Sequence, residues 1–167
     1  MPNEVWKTVY FEKPGRENTD ETLRLAKERA KELDIRNIVV ASSSGATGVK
    51  AAEVFKGYNL TVVTHVTGFR EPNVQWFLPE NRAILEKNGV KIITTAHAFG
   101  TLGRAVNRKF NTIQVDEIIA NVLRLFSQGL KVACEVTCMA ADAGYTRTDE
   151  DAIGIGGSGG GADTAIV

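Results

Sequence analysis

Only two of the 167 residues are cysteine and only two are histidine. Cys134 and Cys138, four apart in one apolar stretch, cannot make a disulfide framework. They read as small buried hydrophobes in a reducing, cytoplasmic compartment. His65 and His97 each stand without a second histidine or a cysteine at ligand spacing, so no metal site is expected. Charge of one sign is also lacking: Lys+Arg and Asp+Glu both total 20. That balance, with no long run of one sign, supplies no basic field for nucleic acid or an anionic membrane surface. No apolar run approaches the roughly 18 residues of a membrane span, and no signal-peptide pattern occurs, so no membrane partner is expected. What is present in quantity is apolar residue, 43% of the chain, and glycine, at 16 positions. This composition suits one packed domain over residues 1–167.

Taken in order, Val5 to Phe11 is rich in β-branched and aromatic residues and reads as a strand, stopped at Lys13-Pro14-Gly15. A helix follows, with Asn18 or Thr19 as its cap, Asp20 and Glu21 in its first turn, and Leu23, Ala26, Ala30 and Leu33 as its apolar stripe. Asn37–Ala41 is the next strand. A loop, Ser42–Gly48, and a helix from Val49 to Lys56 come after it. Leu60–Thr67 and Val90–Thr95 are further strands, separated by a helix from Pro79 to Lys87 that Asn88-Gly89 ends. A helix starts near Val115 with Ile118, Ile119, Val122 and Phe126 on one face. Val132–Ala143 is periodic enough for helix or strand, and its length, alanines and terminal Gly144 favour helix. The chain closes with Ala152–Ile155, a glycine run and an extended Thr164–Val167. Strands alternating with helices over short links predict a mostly parallel sheet covered on both faces, a three-layer α/β/α sandwich.

Ligands of such sheets sit outside the carboxyl ends of the strands. That rule brings the loops after Ala41, Thr67 and Thr95 to one edge. Ser42, Ser43, Ser44, Gly45, Ala46 and Thr47 are hydroxyl and small residues at a helix N-terminus, where free N–H groups and the helix dipole favour an anion. The alternative is that Ser43 or Ser44 only caps the helix. Ser44, His65 or Thr67, and His97 would line one crevice; Thr67, Gly68 and Phe69 would border the body of a ligand, with His97 and the late glycine run, Gly157 and Gly159, closing the opposite side. Lys50, one turn into the helix, is the nearest cation. Phe69, Trp76, Phe77 and Phe99 either stack on a flat ring or belong to the core. Glu135 and Asp142, seven apart on one helix face, are acid/base groups if a cleft buries them and ordinary polar residues otherwise.

Three familiar motifs fail on context. Gly154-x-Gly156-x-x-Gly159 lacks the following helix of a dinucleotide fingerprint, since Asp163–Val167 reads as a strand. Gly45 is not followed by the Gly-Lys-Ser/Thr ending of a Walker loop. Ser42–Ser44 lacks the leading glycine of a nucleophile elbow.

Ser42, Ser44, Gly45 and Thr47, placed after the second expected strand, match the Ser/Thr-x-Ser-Gly-x-Ser/Thr pattern of the phosphate loop in the pyruvate kinase C-terminal domain. Met139–Gly144 and Gly161–Ala165 resemble a group of small, stand-alone, largely archaeal proteins named for that domain. The resemblance implies its fold and a phosphate-bearing small ligand. It does not imply pyruvate kinase activity, because the catalytic barrel is absent. Flavin mononucleotide (FMN) is the ligand expected, with aromatic-bearing loops beside the phosphate site to receive a planar ring. A flavin-dependent oxidoreductase and a ligand-free regulatory or assembly module are the alternatives. Val167 falls at the start or middle of a last strand, so a sheet edge is expected to be truncated or completed by another copy, as in a homo-oligomer.

Overall fold

The computed structural model describes residues 8–167. Five strands, β1 (Asn37–Ala41), β2 (Asn59–Val63), β3 (Lys91–Ile93), β4 (Ala152–Gly156) and β5 (Thr164–Ile166), form one sheet in the order β3-β2-β1-β4-β5. β1 lies parallel to β2 and β4, and β2 parallel to β3. Only β5 is antiparallel, against β4. The helices are α1 (Thr19–Glu32), α2 (Ala46–Val54), α3 (Pro79–Lys87), α4 (Leu102–Phe110), α5 (Val115–Arg124) and α6 (Gln128–Asp142).

Strand side chains alternate between two cores, as the two-residue period requires. Ile38 and Val40 of β1, Val62 of β2, and Ile153 and Ile155 of β4 meet Leu23, Ala26 and Ala30 of α1, Ala51 of α2 and Leu85 of α3. Val39, Val63 and Ile93 point the other way, onto Val136, Met139 and Ala140 of α6. The run Asn37-Ile-Val-Val is buried throughout because both faces of β1 are covered. The expected three-layer α/β/α sandwich is therefore the one formed.

β4 is asymmetric. Its isoleucines face one core, while Gly154 and Gly156 face α6. A Cβ on Gly156 would lie 2.4 Å from the Gly129 carbonyl oxygen and 2.7 Å from the Ala133 nitrogen, and one on Gly154 would lie 2.9 Å from the Ala133 carbonyl oxygen. α6 thus rests on bare strand backbone, a close approach that only glycine permits.

Several boundaries differ from the sequence reading. Of the strand expected at Val5–Phe11, Val5 to Lys7 lie outside the described residues, and Thr8 to Phe11 are not in a strand. β2 and β3 end at Val63 and Ile93, which leaves His65 and Thr67 in loops. α2 begins at Ala46, inside the expected loop, and α6 begins at Gln128. α4 is absent from the sequence reading; its basic residues Arg104, Arg108 and Lys109 interrupt an otherwise short apolar pattern. α1 has no side-chain cap: the Asn18 amide donates to the Lys13 carbonyl and the Thr19 hydroxyl to the Arg16 carbonyl.

The Gly156→Ala substitution is expected to destabilise the fold by about 3 kcal/mol or more, the upper part of the range for overpacking, because the obstructing atoms are backbone. Urea unfolding should show a lower midpoint at unchanged slope.

Candidate ligand site at the carboxyl edge of the sheet

The chain proceeds from β1 outward to β2 and β3, then crosses back to place β4 on the other side of β1. The loops leaving the two strands at this reversal are Ser42–Gly45 and Gly157–Gly161, the position at which open α/β sheets bind ligands.

The first loop is shaped by its own hydroxyls. The buried Ser42 Oγ accepts the Gly48 N–H at 3.1 Å, and Ser44 Oγ accepts the Ala46 N–H at 3.4 Å. Gly45, at φ 92°, makes the turn into α2. α3 presses on it from outside: Asn81 Nδ2 and the Leu78 N–H both donate to the Ser44 carbonyl, at 2.9 and 3.1 Å. Among the described residues, no protein acceptor takes the N–H of Gly45 or Thr47. Those donors and the dipole of α2 are what the loop offers an anion. Ser43 and Ala46 are exposed, whereas Thr47 is buried. Lys50 does not add free charge here, because it is ion-paired with Asp20 of α1 at 2.6 Å.

The glycine loop is likewise held from within. Asp163 Oδ2 accepts the N–H groups of Ser158 and Gly15, each at 3.0 Å. A Cβ on Gly157 would meet the Gly161 carbonyl oxygen at 2.5 Å, while Gly159 (φ 84°) has open space around it. Thr19 Oγ1 accepts the Ala162 N–H at 3.0 Å, which pins the loop to the N-terminus of α1. Asp163 was not singled out from the sequence; an aspartate two residues after a glycine run is the available signal.

A second group forms beyond β2 and β3. His65 and His97 sit with ring centroids 4.9 Å apart, and Phe69 and Trp76 pack on His65 at 4.7 and 5.0 Å. The aromatic rings therefore pack on one another, and Phe77 is buried in the core beside Gly45. His97 is held at both ends: its N–H donates to Thr101 Oγ1 at 2.7 Å, and its Nε2 accepts the Val66 N–H at 3.3 Å. The Thr67 hydroxyl and the His65 carbonyl both accept from Gln75 Nε2, at 3.2 and 2.9 Å. Gly68 closes a local turn, its N–H donating to the Val74 carbonyl. His65 Nδ1 is buried without a partner among the described residues. Residues 75–78 link this group to the serine loop, through Gln75 on one side and Leu78 on the other.

Beneath the histidines, Lys131 and Glu135 of α6 form a buried ion pair. Glu135 Oε1 also accepts the Phe99 N–H at 2.9 Å, which ties the His97 loop to α6. Glu135 is thus the buried acid of the expected pair, and Asp142, at the exposed end of the helix, is not. Lys131 escaped the sequence reading, although a lysine four before a glutamate in an apolar helix is the pattern that pairs. Two further cations flank the rings: the Arg70 guanidinium lies 4.5 Å from the Trp76 centroid, and that of Arg104 lies 5.4 Å from Phe69. Burial lowers the pKa of His65, of Lys131 and of His97, the last to about 4. Both imidazoles are therefore neutral near pH 7, each with a nitrogen to donate and one to accept.

Cys134 and Cys138 are free thiols. Cys134 is half-buried and Cys138 exposed, rather than both buried as expected, since they lie off the face of α6 that meets the sheet. Burial is the main cause that raises both thiol pKa values. No group of three or more potential metal ligands occurs among the described residues. No helix among them is long and apolar enough to cross a membrane. A groove of about 770 Å³ lies elsewhere, between Tyr10, Leu25 of α1, Leu130 of α6 and Ile166 of β5. Its walls are mainly apolar, and it contains neither histidine nor the serine loop.

Because His97 binds its proton more weakly when folded than unfolded, the unfolded chain takes up more protons between about pH 6.5 and 4. Stability should fall as pH drops through that window, by on the order of 1–2 kcal/mol after discounting for solvent screening. His97→Gln should flatten the slope of unfolding free energy against pH there. Glu135→Gln leaves Lys131 buried without its counter-charge and is expected to cost about 3–5 kcal/mol, read by urea unfolding at pH 7.

The family model for the pyruvate kinase alpha/beta domain matches residues 20–167. Among solved structures, a pyruvate kinase from Cryptosporidium parvum aligns at 14% identity and a TM-score of 0.47, over 97% of this chain and 23% of its own. The chain thus spans under a quarter of the length of that enzyme. With the mostly parallel sheet and the Ser42–Thr47 loop in place after β1, the match over nearly the whole sequence means that the chain belongs to the pyruvate kinase alpha/beta domain family.

Proposed function

We propose that this protein binds a phosphate-bearing small molecule at the carboxyl edge of its sheet, with FMN as the ligand. The observation that carries this reading is the serine loop at the N-terminus of α2, with N–H groups of Gly45 and Thr47 that no protein acceptor takes among the described residues. The donor set suits a phosphate: hydroxyls and amides line the loop and no carboxylate lies within it, while Arg70 and Arg104 supply positive charge beside the rings of the second group. Thr47, Ser43 and Ser44 would hold the phosphate. His65, Phe69, Trp76 and His97 would meet the ring system, and the unpartnered His65 Nδ1 is the polar atom that such a ligand would satisfy. When bound, FMN supplies hydride and single-electron chemistry. This chain's part would be to bind and orient it, with neutral imidazoles as hydrogen-bonding groups.

One observation favours a second reading. The Ser42 and Ser44 hydroxyls already accept amides of α2, as a plain helix cap would, so the edge could serve an assembly or regulatory module without a small ligand. Isothermal titration with FMN, with inorganic phosphate as a second titrant, separates the two. Under the ligand reading FMN binds, and Ser44→Ala with Thr47→Ala weakens it tenfold or more, at about 1.5–3 kcal/mol per charged hydrogen bond. Absence of heat with FMN removes the flavin, and absence with phosphate as well favours the cap.

A further inference from the structure

We propose that Gln75 is a positioning residue that makes the carboxyl edge select a phosphate carried on a planar ring over phosphate alone. The inference rests on the ligand reading above and concerns what holds the two ends of that ligand at a fixed spacing. The Gln75 amide is fully engaged: Nε2 donates to the His65 carbonyl at 2.9 Å and to Thr67 Oγ1 at 3.2 Å, and Oε1 accepts the Phe77 N–H at 3.1 Å. A carbonyl only accepts and a backbone N–H only donates, so these partners fix which end of the amide is which. The side chain closes the neck of the excursion over residues 66–74, which carries Phe69 and Arg70, and it holds the chain on both sides of Val66. The Gly68 N–H, donating to the Val74 carbonyl at 2.9 Å, is a second tie across that neck.

From Val66 the effect passes to His97, because the Val66 N–H donates to His97 Nε2 at 3.3 Å. A neutral imidazole whose Nε2 accepts carries its proton on Nδ1. Gln75 therefore decides, through residues 65–67, which nitrogen of His97 offers a proton. On its other side the same segment reaches the serine loop. Phe77 is buried against Gly45, and the Leu78 N–H and Asn81 Nδ2 both donate to the Ser44 carbonyl. Pro79, at the first turn of α3, stiffens the chain where it crosses between the two groups. Phosphate alone meets only the serine loop. A phosphate joined through a spacer to a planar ring meets both groups, and it gains from the second only if the protein already holds them at the matching distance.

The test is isothermal titration of the native chain and of Gln75→Met with FMN, riboflavin and inorganic phosphate, alongside nitrogen-15 NMR of the histidine rings at neutral pH. Methionine keeps the length of the side chain and removes its donors and acceptor. The native chain is expected to bind FMN more tightly than riboflavin or phosphate. Gln75→Met should weaken FMN roughly tenfold or more while phosphate affinity stays within about twofold. The His97 proton should sit on Nδ1 in the native chain and be shared between both nitrogens in the variant. A residue that only stabilised the fold would move neither the ratio of FMN to phosphate affinity nor this tautomer. FMN and phosphate weakened in equal proportion, or FMN affinity unchanged in the variant, overturns the inference and leaves the ligand reading in place. A native His97 protonated on Nε2 overturns it even if the variant does not fold. No heat from FMN or phosphate with the native chain ends the ligand reading itself, and this inference with it.

Discussion

The approach of α6 to β4 over Gly154 and Gly156 is the constraint on which the site depends. A helix that packs on strand side chains stands off by their length, whereas α6 meets strand backbone and is lowered into the sheet layer. This brings Lys131 and Glu135, in the first two turns of α6, under the ends of β2 and β3. Glu135 then accepts the Phe99 N–H and so holds the loop that carries His97. A chain of contacts therefore runs from two missing Cβ atoms to the position of an imidazole.

The buried ion pair in that chain carries a cost as well as a gain. Two charges removed from water lose several kcal/mol of hydration each, and mutual attraction alone repays this only when the remaining bonding capacity is used. Here the second carboxylate oxygen of Glu135 takes a backbone N–H, so the pair also fixes where one loop lies. Its contribution is better described as specificity of loop position than as net stability. The histidines above it are affected in turn: their neutral state comes chiefly from burial, and the Glu135 charge acts in the opposite direction.

The carboxyl edge divides into two sub-sites with different physical character. Around β1 and β4 the groups are amides, hydroxyls and glycines, much of whose capacity is used internally by Ser42, Ser44 and Asp163. Around β2 and β3 they are rings and cations, packed on one another and backed by a buried pair. The segment from Gln75 to Leu78 touches both.

Much was legible in the sequence, and the reasons are local. The β-branched run Asn37–Ala41, the stripe of α1, and Pro79 with Asn88-Gly89 around α3 each declare their element through propensity or periodicity, which depend on neighbours in the chain. The serine loop was legible for the same reason, since strand, loop and helix start are contiguous. His65 and His97 could be placed on one edge by the parallel-sheet rule, but not 4.9 Å apart, because that distance depends on how two loops fold over the strand ends. The pairing of Lys50 with Asp20, the roles of Asp163 and Lys131, and the exposure of Cys138 were decided by contacts between residues far apart in sequence or by which side of a helix meets the sheet. The stripe of α5 shows the limit most plainly. Its period, and so its helix, follow from the sequence alone, but the face it turns to solvent was set by α4 and α6, which hold its polar side and leave the apolar side outward.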